Sequence, residues 1–163
     1  MGKEHHYSTL LIWTGNTGAG TASYKAYDRD HIVSVNGKPE IPGSSDPSFR
    51  GDPQRYNPEE LLVSALSSCH LLWYLHLCAV NGVVVVDYRD EAIGTMIETS
   101  DGSGRFSEVV LRPMVTITAD SMVEKARALH QEAHKFCFIA NSVNFPVKQE
   151  PEIRVAGDFS ANA

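Results

Sequence analysis

Cysteine is scarce in this sequence, and so is positive charge. Only Cys69, Cys78 and Cys137 stand in 163 residues. An odd, widely spaced set does not build the disulfide framework of a small secreted protein. Lysine and arginine number 14 against 20 acidic residues, for a formal net charge of −6. No cationic face that would neutralise phosphates is visible, so nucleic acid is not an expected partner. The opening stretch His5-His6-Tyr7-Ser8-Thr9-Leu10-Leu11 lacks the basic start and apolar run of a signal peptide. The cytoplasm is therefore the expected compartment. Internal repeats and low-complexity tracts are also missing. With 42% hydrophobic and 21% charged residues the chain is not of the disordered class. Its length can bury a core without staples, and one domain over residues 1–163 is expected.

What is present is an alternation of extended and helical patterns. Tyr7 to Trp13 reads as a strand closed by Thr14-Gly15-Asn16-Thr17-Gly18. Thr21 to Tyr27 alternates small polar and aromatic residues, and His31-Ile32-Val33-Ser34-Val35 resumes the extended pattern. Together they predict an antiparallel meander over residues 5–35. Residues 36–56, rich in Gly, Pro, Ser and Asp, predict a long loop.

Asn57-Pro58-Glu59-Glu60 starts a helix: Asn57 caps, Pro58 takes the first helical position, and Glu60 sits three residues after the cap. The helix is expected over residues 57–80, stopped by Asn81-Gly82. From Leu61 to Val80 nearly every residue is apolar or small, so the helix is buried on all sides or spans a membrane. Ser64, Ser67, Ser68, His70 and His76 within it, and the lack of a second span, favour a central helix wrapped by sheet or by a second subunit. No membrane partner is expected. Val83–Thr99 and Phe106–Thr118 flank Asp101-Gly102-Ser103-Gly104 and predict a hairpin over residues 83–118. Ser121 and Glu124 have capping-box spacing for a second helix over residues 120–135, and Ile153-Arg154-Val155 predicts a last strand over 152–156. The order reads as α+β.

Cys69 falls in mid-helix, where a lone cysteine is either a small apolar filler or a reactive thiol. Cys137 falls where the second helix gives way to irregular chain, better placed to move. A two-thiol peroxidase needs one held thiolate, which becomes a sulfenic acid, and a second thiol that condenses with it. Cys78 lies nine residues beyond Cys69, on the opposite helix face, and is assigned to packing. An attacking thiol near neutral pH needs a neighbouring cation. The loop before the helix supplies Arg50 and Arg55, with Glu59 or Glu60 as the carboxylate to hold one of them. Glu59 and Cys69 are ten positions apart, about 15 Å on a straight helix. They meet only through a bridging Arg, a bend or a second subunit. The acidic pair also has a plainer role, favourable charge at a helix start.

At these residues the sequence resembles the OsmC/Ohr family. The matching stretches are Asn57-Pro58-Glu59-Glu60-Leu61-Leu62, running on to Ser67-Ser68-Cys69, and the segment Cys137–Ser142. The resemblance implies an OsmC-like fold, an intertwined homodimer, and two active sites at the subunit interface. It implies Cys69 as peroxidatic thiol, Cys137 as resolving thiol, and an Arg–Glu pair over the thiolate with Glu59 as the Glu. It also implies reduction of organic hydroperoxides at the expense of a dithiol such as a lipoyl group, with no cofactor of the protein's own. The first strand turn, where one branch carries its Arg, has none here, so Arg50 is the choice and Arg55 the second. Phe138 stands where relatives often have Pro, and His70 where they often have an aromatic.

Four histidines accompany the thiols. His130, His134 and Cys137 share one helical face by spacing, as do Cys69, Trp73 and His76. If the faces met, a mixed Cys/His metal site is one alternative. Tuning of the thiolate by His70 or His134 is another, and hydrogen-bonded core histidines are the plainest. A non-enzymatic dimer holding a small ligand in an apolar pocket remains the competing function.

Overall fold

Short β-branched and aromatic runs pair first. In the computed structural model, which describes residues 2–157, β1 (Leu10–Trp13), β2 (His31–Ser34) and β3 (Ile41–Gly43) form an antiparallel sheet in that order. Trp13 lies opposite His31, and His31 opposite Gly43. The chain divides into two units between Leu61 and Leu62, and this sheet belongs to the first.

Two expectations for the first unit are corrected. The alternating stretch Thr21–Tyr27 is a series of turns, not a strand. Its aromatics are spent on a cation: the Arg29 guanidinium lies 4.3 Å from the Tyr24 ring centre and 4.2 Å from that of Tyr27. It also donates to both tyrosines' carbonyls. The third strand of the meander comes instead from the predicted loop, as β3. The rest of that loop holds a 3₁₀ turn, Pro47–Phe49, capped by the Asp46 carboxylate and ended by Arg50 at φ 67°.

The helix α1 runs Pro58–Val80. Its cap is reciprocal: Asn57 Oδ1 accepts from the Glu60 N–H at 2.8 Å, and Glu60 Oε2 accepts from the Asn57 N–H at 3.1 Å. Gly82 ends it with φ 74°, which lets the Val83 N–H turn back to the Cys78 carbonyl at 2.9 Å.

In the second unit follow β4 (Val85–Asp90), β5 (Ile93–Glu98), β6 (Gly104–Leu111), β7 (Pro113–Ile117), α2 (Val123–Phe136), β8 (Val147–Gln149) and β9 (Glu152–Val155). The predicted hairpin is real but broken into two sheets, β4-β7-β9 and β5-β6-β8. The break falls at Glu91-Ala92 on one arm and Arg112 on the other. One carboxylate holds it: Asp90 Oδ1 accepts from the Arg112 N–H at 2.7 Å, and Oδ2 accepts from Ser67 Oγ on α1. β8, parallel to β6, was not anticipated. The Ser121–Glu124 capping box is not made. A 3₁₀ turn, Asp120–Met122, leads into α2 without a side-chain cap.

α2 buries Ala126, Leu129, His130 and Ala133, an i, i+3, i+4, i+7 stripe. α1 buries Leu66, His70, Tyr74 and Cys78. Tyr74 and Cys78 pack with Val115, Ile117, Ala126 and Ala133, while Leu66 joins Val109 and Leu111. Within the second unit, α2 and the strands that follow α1 cover one flank of it. Leu72, Leu75 and Val80 stay exposed. By length and composition α1 is long and apolar enough to cross a bilayer.

Candidate active site: a thiol pair between two helices

The buried stripes bring α1 and α2 side by side, and three pairs of residues cross between them. Tyr74 OH donates to the Ala126 carbonyl at 3.2 Å. His70 Nε2 lies 3.0 Å from His130 Nδ1. Nearest the end of α2, the Cys137 thiol lies beside that of Cys69. Both sulfurs are free thiols.

The two are not equivalent. Cys69 is half-buried, whereas Cys137 is 1% exposed. Burial first, then the neighbouring Cys69 thiol, pushes the Cys137 thiol up to about 11. Cys137 is also less free than a residue past a helix end was expected to be. Its Sγ accepts from the Ala140 N–H at 3.4 Å, and its carbonyl accepts from the Asn141 N–H at 3.0 Å. Cys78 stays apart, packed beside Tyr74 with its thiol pushed up by burial, as its position on the helix requires.

Aromatic rings border the thiols. Trp73, one turn beyond Cys69, stacks on Phe136 at 5.2 Å and meets Phe138 and His76 edge-on. The residues either side of Cys137 therefore cover the Cys69 face of α1. Phe136 and Phe138 themselves remain exposed.

The histidines do not assemble as a metal site. Among the described residues no three His, Cys, Asp or Glu side chains gather to hold an ion. His134 Nδ1 pairs with Gln149 Nε2 at 2.8 Å, and His70 pairs with His130. The latter two are fully buried, and burial lowers their pKa values to about 4 and about 3. His70 Nδ1 and His130 Nε2 are buried with no hydrogen-bond partner. The partnership was not foreseen, although His70 lies on the Leu66–Tyr74 stripe and His130 on the Ala126–Ala133 stripe. A buried position on each of two apolar stripes was the available signal.

In the first unit Arg55 is committed: its Nε lies 3.2 Å from Asp30 and 3.4 Å from Asp52. Arg50 has no ion pair among the described residues and holds a left-handed backbone. Glu59 sits half-buried in the first turn of α1.

A family model described as OsmC-like protein matches residues 51–152. The chain belongs to the OsmC-like family. The match spans Glu59, Cys69 and Cys137, and begins one residue after Arg50. A solved OsmC-like protein of unknown function from Vibrio cholerae is 32% identical, covers 91% of this chain and 99% of its own, and superposes with a TM-score of 0.81. An organic hydroperoxide resistance protein from Elizabethkingia anophelis is 18% identical, with 94% and 99% covered and a TM-score of 0.66. At that identity the likeness is one of fold. The uncharacterized protein YmaD of Bacillus subtilis is 23% identical over 161 residues, 95% of this chain and 99% of that one. As an OsmC-like chain the protein shares the family's mixed architecture, two helices packed with sheets, and its cysteines lie inside the matched region.

Proposed function

We propose that this OsmC-like protein is a thiol-dependent peroxidase for organic hydroperoxides, acting as a cytoplasmic homodimer. The observation that carries the reading is the pairing of a half-buried Cys69 with a fully buried neighbouring Cys137. Cys69, as thiolate, attacks the O–O bond of ROOH. Its sulfur becomes a sulfenic acid and the alkoxide leaves as ROH after taking a proton. Cys137 then attacks the sulfenic sulfur, expelling water and closing the disulfide. A dithiol of the lipoyl type returns two electrons and two protons. Arg50, whose guanidinium is uncommitted, is the cation for the thiolate, and Glu59 orients it. The exposed flank of α1 at Leu72, Leu75 and Val80 is the face for the second copy, which brings these two groups within reach.

The test is consumption of cumene or t-butyl hydroperoxide by the pure protein with dihydrolipoamide, abolished in Cys69→Ser. An intact protein that does not turn over, with a Cys69 inert to alkylation at neutral pH, would overturn the reading in favour of a non-enzymatic ligand-binding dimer.

A further inference from the structure

The least ordinary feature of the second unit is a direct, buried imidazole–imidazole hydrogen bond between its two helices. His70 and His130 are 1% and 0% exposed. Their rings are nearly parallel, 8° apart, and Tyr74 lies flat on His130 with ring centres 3.8 Å apart. One nitrogen of each ring is left unpartnered. Two Leu side chains would fill such a place without orphaned polar atoms. A polar pair here therefore fixes something that apolar packing would leave loose: the azimuth and separation of α1 against α2.

His70 is the residue after Cys69, and His130 lies two turns before Cys137 on α2. We infer that the His70–His130 hydrogen bond is a positioning element for the thiols, holding the two helices at the spacing from which Cys69 and Cys137 close to a disulfide. Closure brings the sulfurs to about 2.05 Å and draws the helices along with them. A directional bond within one residue of Cys69 limits how α1 can roll in response. Packing alone, which has no direction, does not. The inference rests on the redox role proposed for the thiols but not on peroxide as their substrate.

The test uses glutathione as oxidant. Cys69-SH and Cys137-SH react with one oxidised glutathione to give the disulfide and two reduced glutathiones, so electrons and protons balance. The full-length protein is equilibrated across glutathione ratios and read by the mass shift of maleimide-labelled thiols. Gln places its amide where His Nε2 lies and Asn places its where Nδ1 lies. His70→Gln and His130→Asn should therefore keep the bond and stay within twofold of the native equilibrium constant. His130→Leu and His130→Gln, which lose or misplace it, should lower the constant at least tenfold, about 30 mV. A purely structural pair would lower the melting temperature and leave this constant alone, because equal destabilisation of both redox forms cancels. An unchanged constant in whichever of the two folds overturns the inference, and so does failure of the native protein to form the disulfide. If the constants shift as stated but hydroperoxide is not consumed, the peroxidase reading fails and this one stands.

Discussion

Cys137 is fully buried beside the half-buried Cys69, and the order of reaction follows from that asymmetry. A thiol with a pKa of about 11 is ionised to about one part in ten thousand at pH 7. Cys137 is therefore a poor first nucleophile and becomes useful only when a sulfenic sulfur stands in front of it. Iodoacetamide at pH 7 should modify Cys69 at least tenfold faster than Cys137 and leave Cys78 unmodified, read by peptide mass spectrometry. In Cys137→Ser the sulfenic acid on Cys69 should persist long enough to be trapped by dimedone. Faster labelling of Cys137 than of Cys69 would reverse the assignment.

Arg50 and Arg55 can be separated by stability. Arg55 is held by two carboxylates at a partly exposed site, so Arg55→Ala should cost about 1 kcal/mol and depress the melting temperature by a few degrees. Arg50 makes no ion pair among the described residues and occupies φ 67°, where glycine is at ease. Arg50→Gly should stabilise the fold by about 0.5–1 kcal/mol while slowing Cys69 oxidation at least tenfold. Melting curves and stopped-flow peroxide kinetics on the same samples decide it. An Arg50→Gly protein that is more stable and fully active would return Arg55 to the site.

How much of this was legible in the chain varies with how local the cause is. The start of α1 was readable because Asn57 and Glu60 satisfy each other within four residues, and its end because Gly82 alone supplies the positive φ. The Asp101–Gly104 turn marked the hairpin. Its division into two sheets was not readable, since the break is held by Asp90 reaching Arg112 and Ser67, neither a near neighbour in sequence. Thr21–Tyr27 misled because its tyrosines, which count as strand formers, are spent on clasping Arg29. β3 and β8, three residues each, are too short for a pattern. The proximity of Cys69 and Cys137 came from the family resemblance, since no spacing of 68 residues encodes a contact. The His70–His130 pair had no such guide.

Asp90 makes the hairpin break testable. Asp90→Ala removes acceptors from both the Arg112 N–H and Ser67 Oγ and should cost roughly 2–3 kcal/mol, against about 1 kcal/mol for Ser67→Ala. The two losses should not add, because Ser67 has already lost its acceptor in the Asp90 variant. Urea midpoints of the single and double variants check this. Full additivity would mean that the hydroxyl and the carboxylate act independently.

The buried imidazoles make stability fall in mild acid. In the unfolded chain each titrates near 6.5. In the fold burial lowers His70 to about 4, with His134 adding repulsion, and His130 to about 3, with His70 and Arg127 adding to it. A depressed folded pKa means that the unfolded state binds protons first, so this stability is complete above pH 6.5 and is lost as pH falls toward 4. Between pH 7 and pH 5 the two groups should together cost roughly 2–4 kcal/mol. The double variant H70Q/H130N keeps the hydrogen bond and cannot titrate, so its urea midpoint should be nearly flat over that interval while the native midpoint drops. Parallel profiles for the two proteins would place the acid sensitivity elsewhere and leave the histidine pair protonatable inside the fold, a state that burial makes costly.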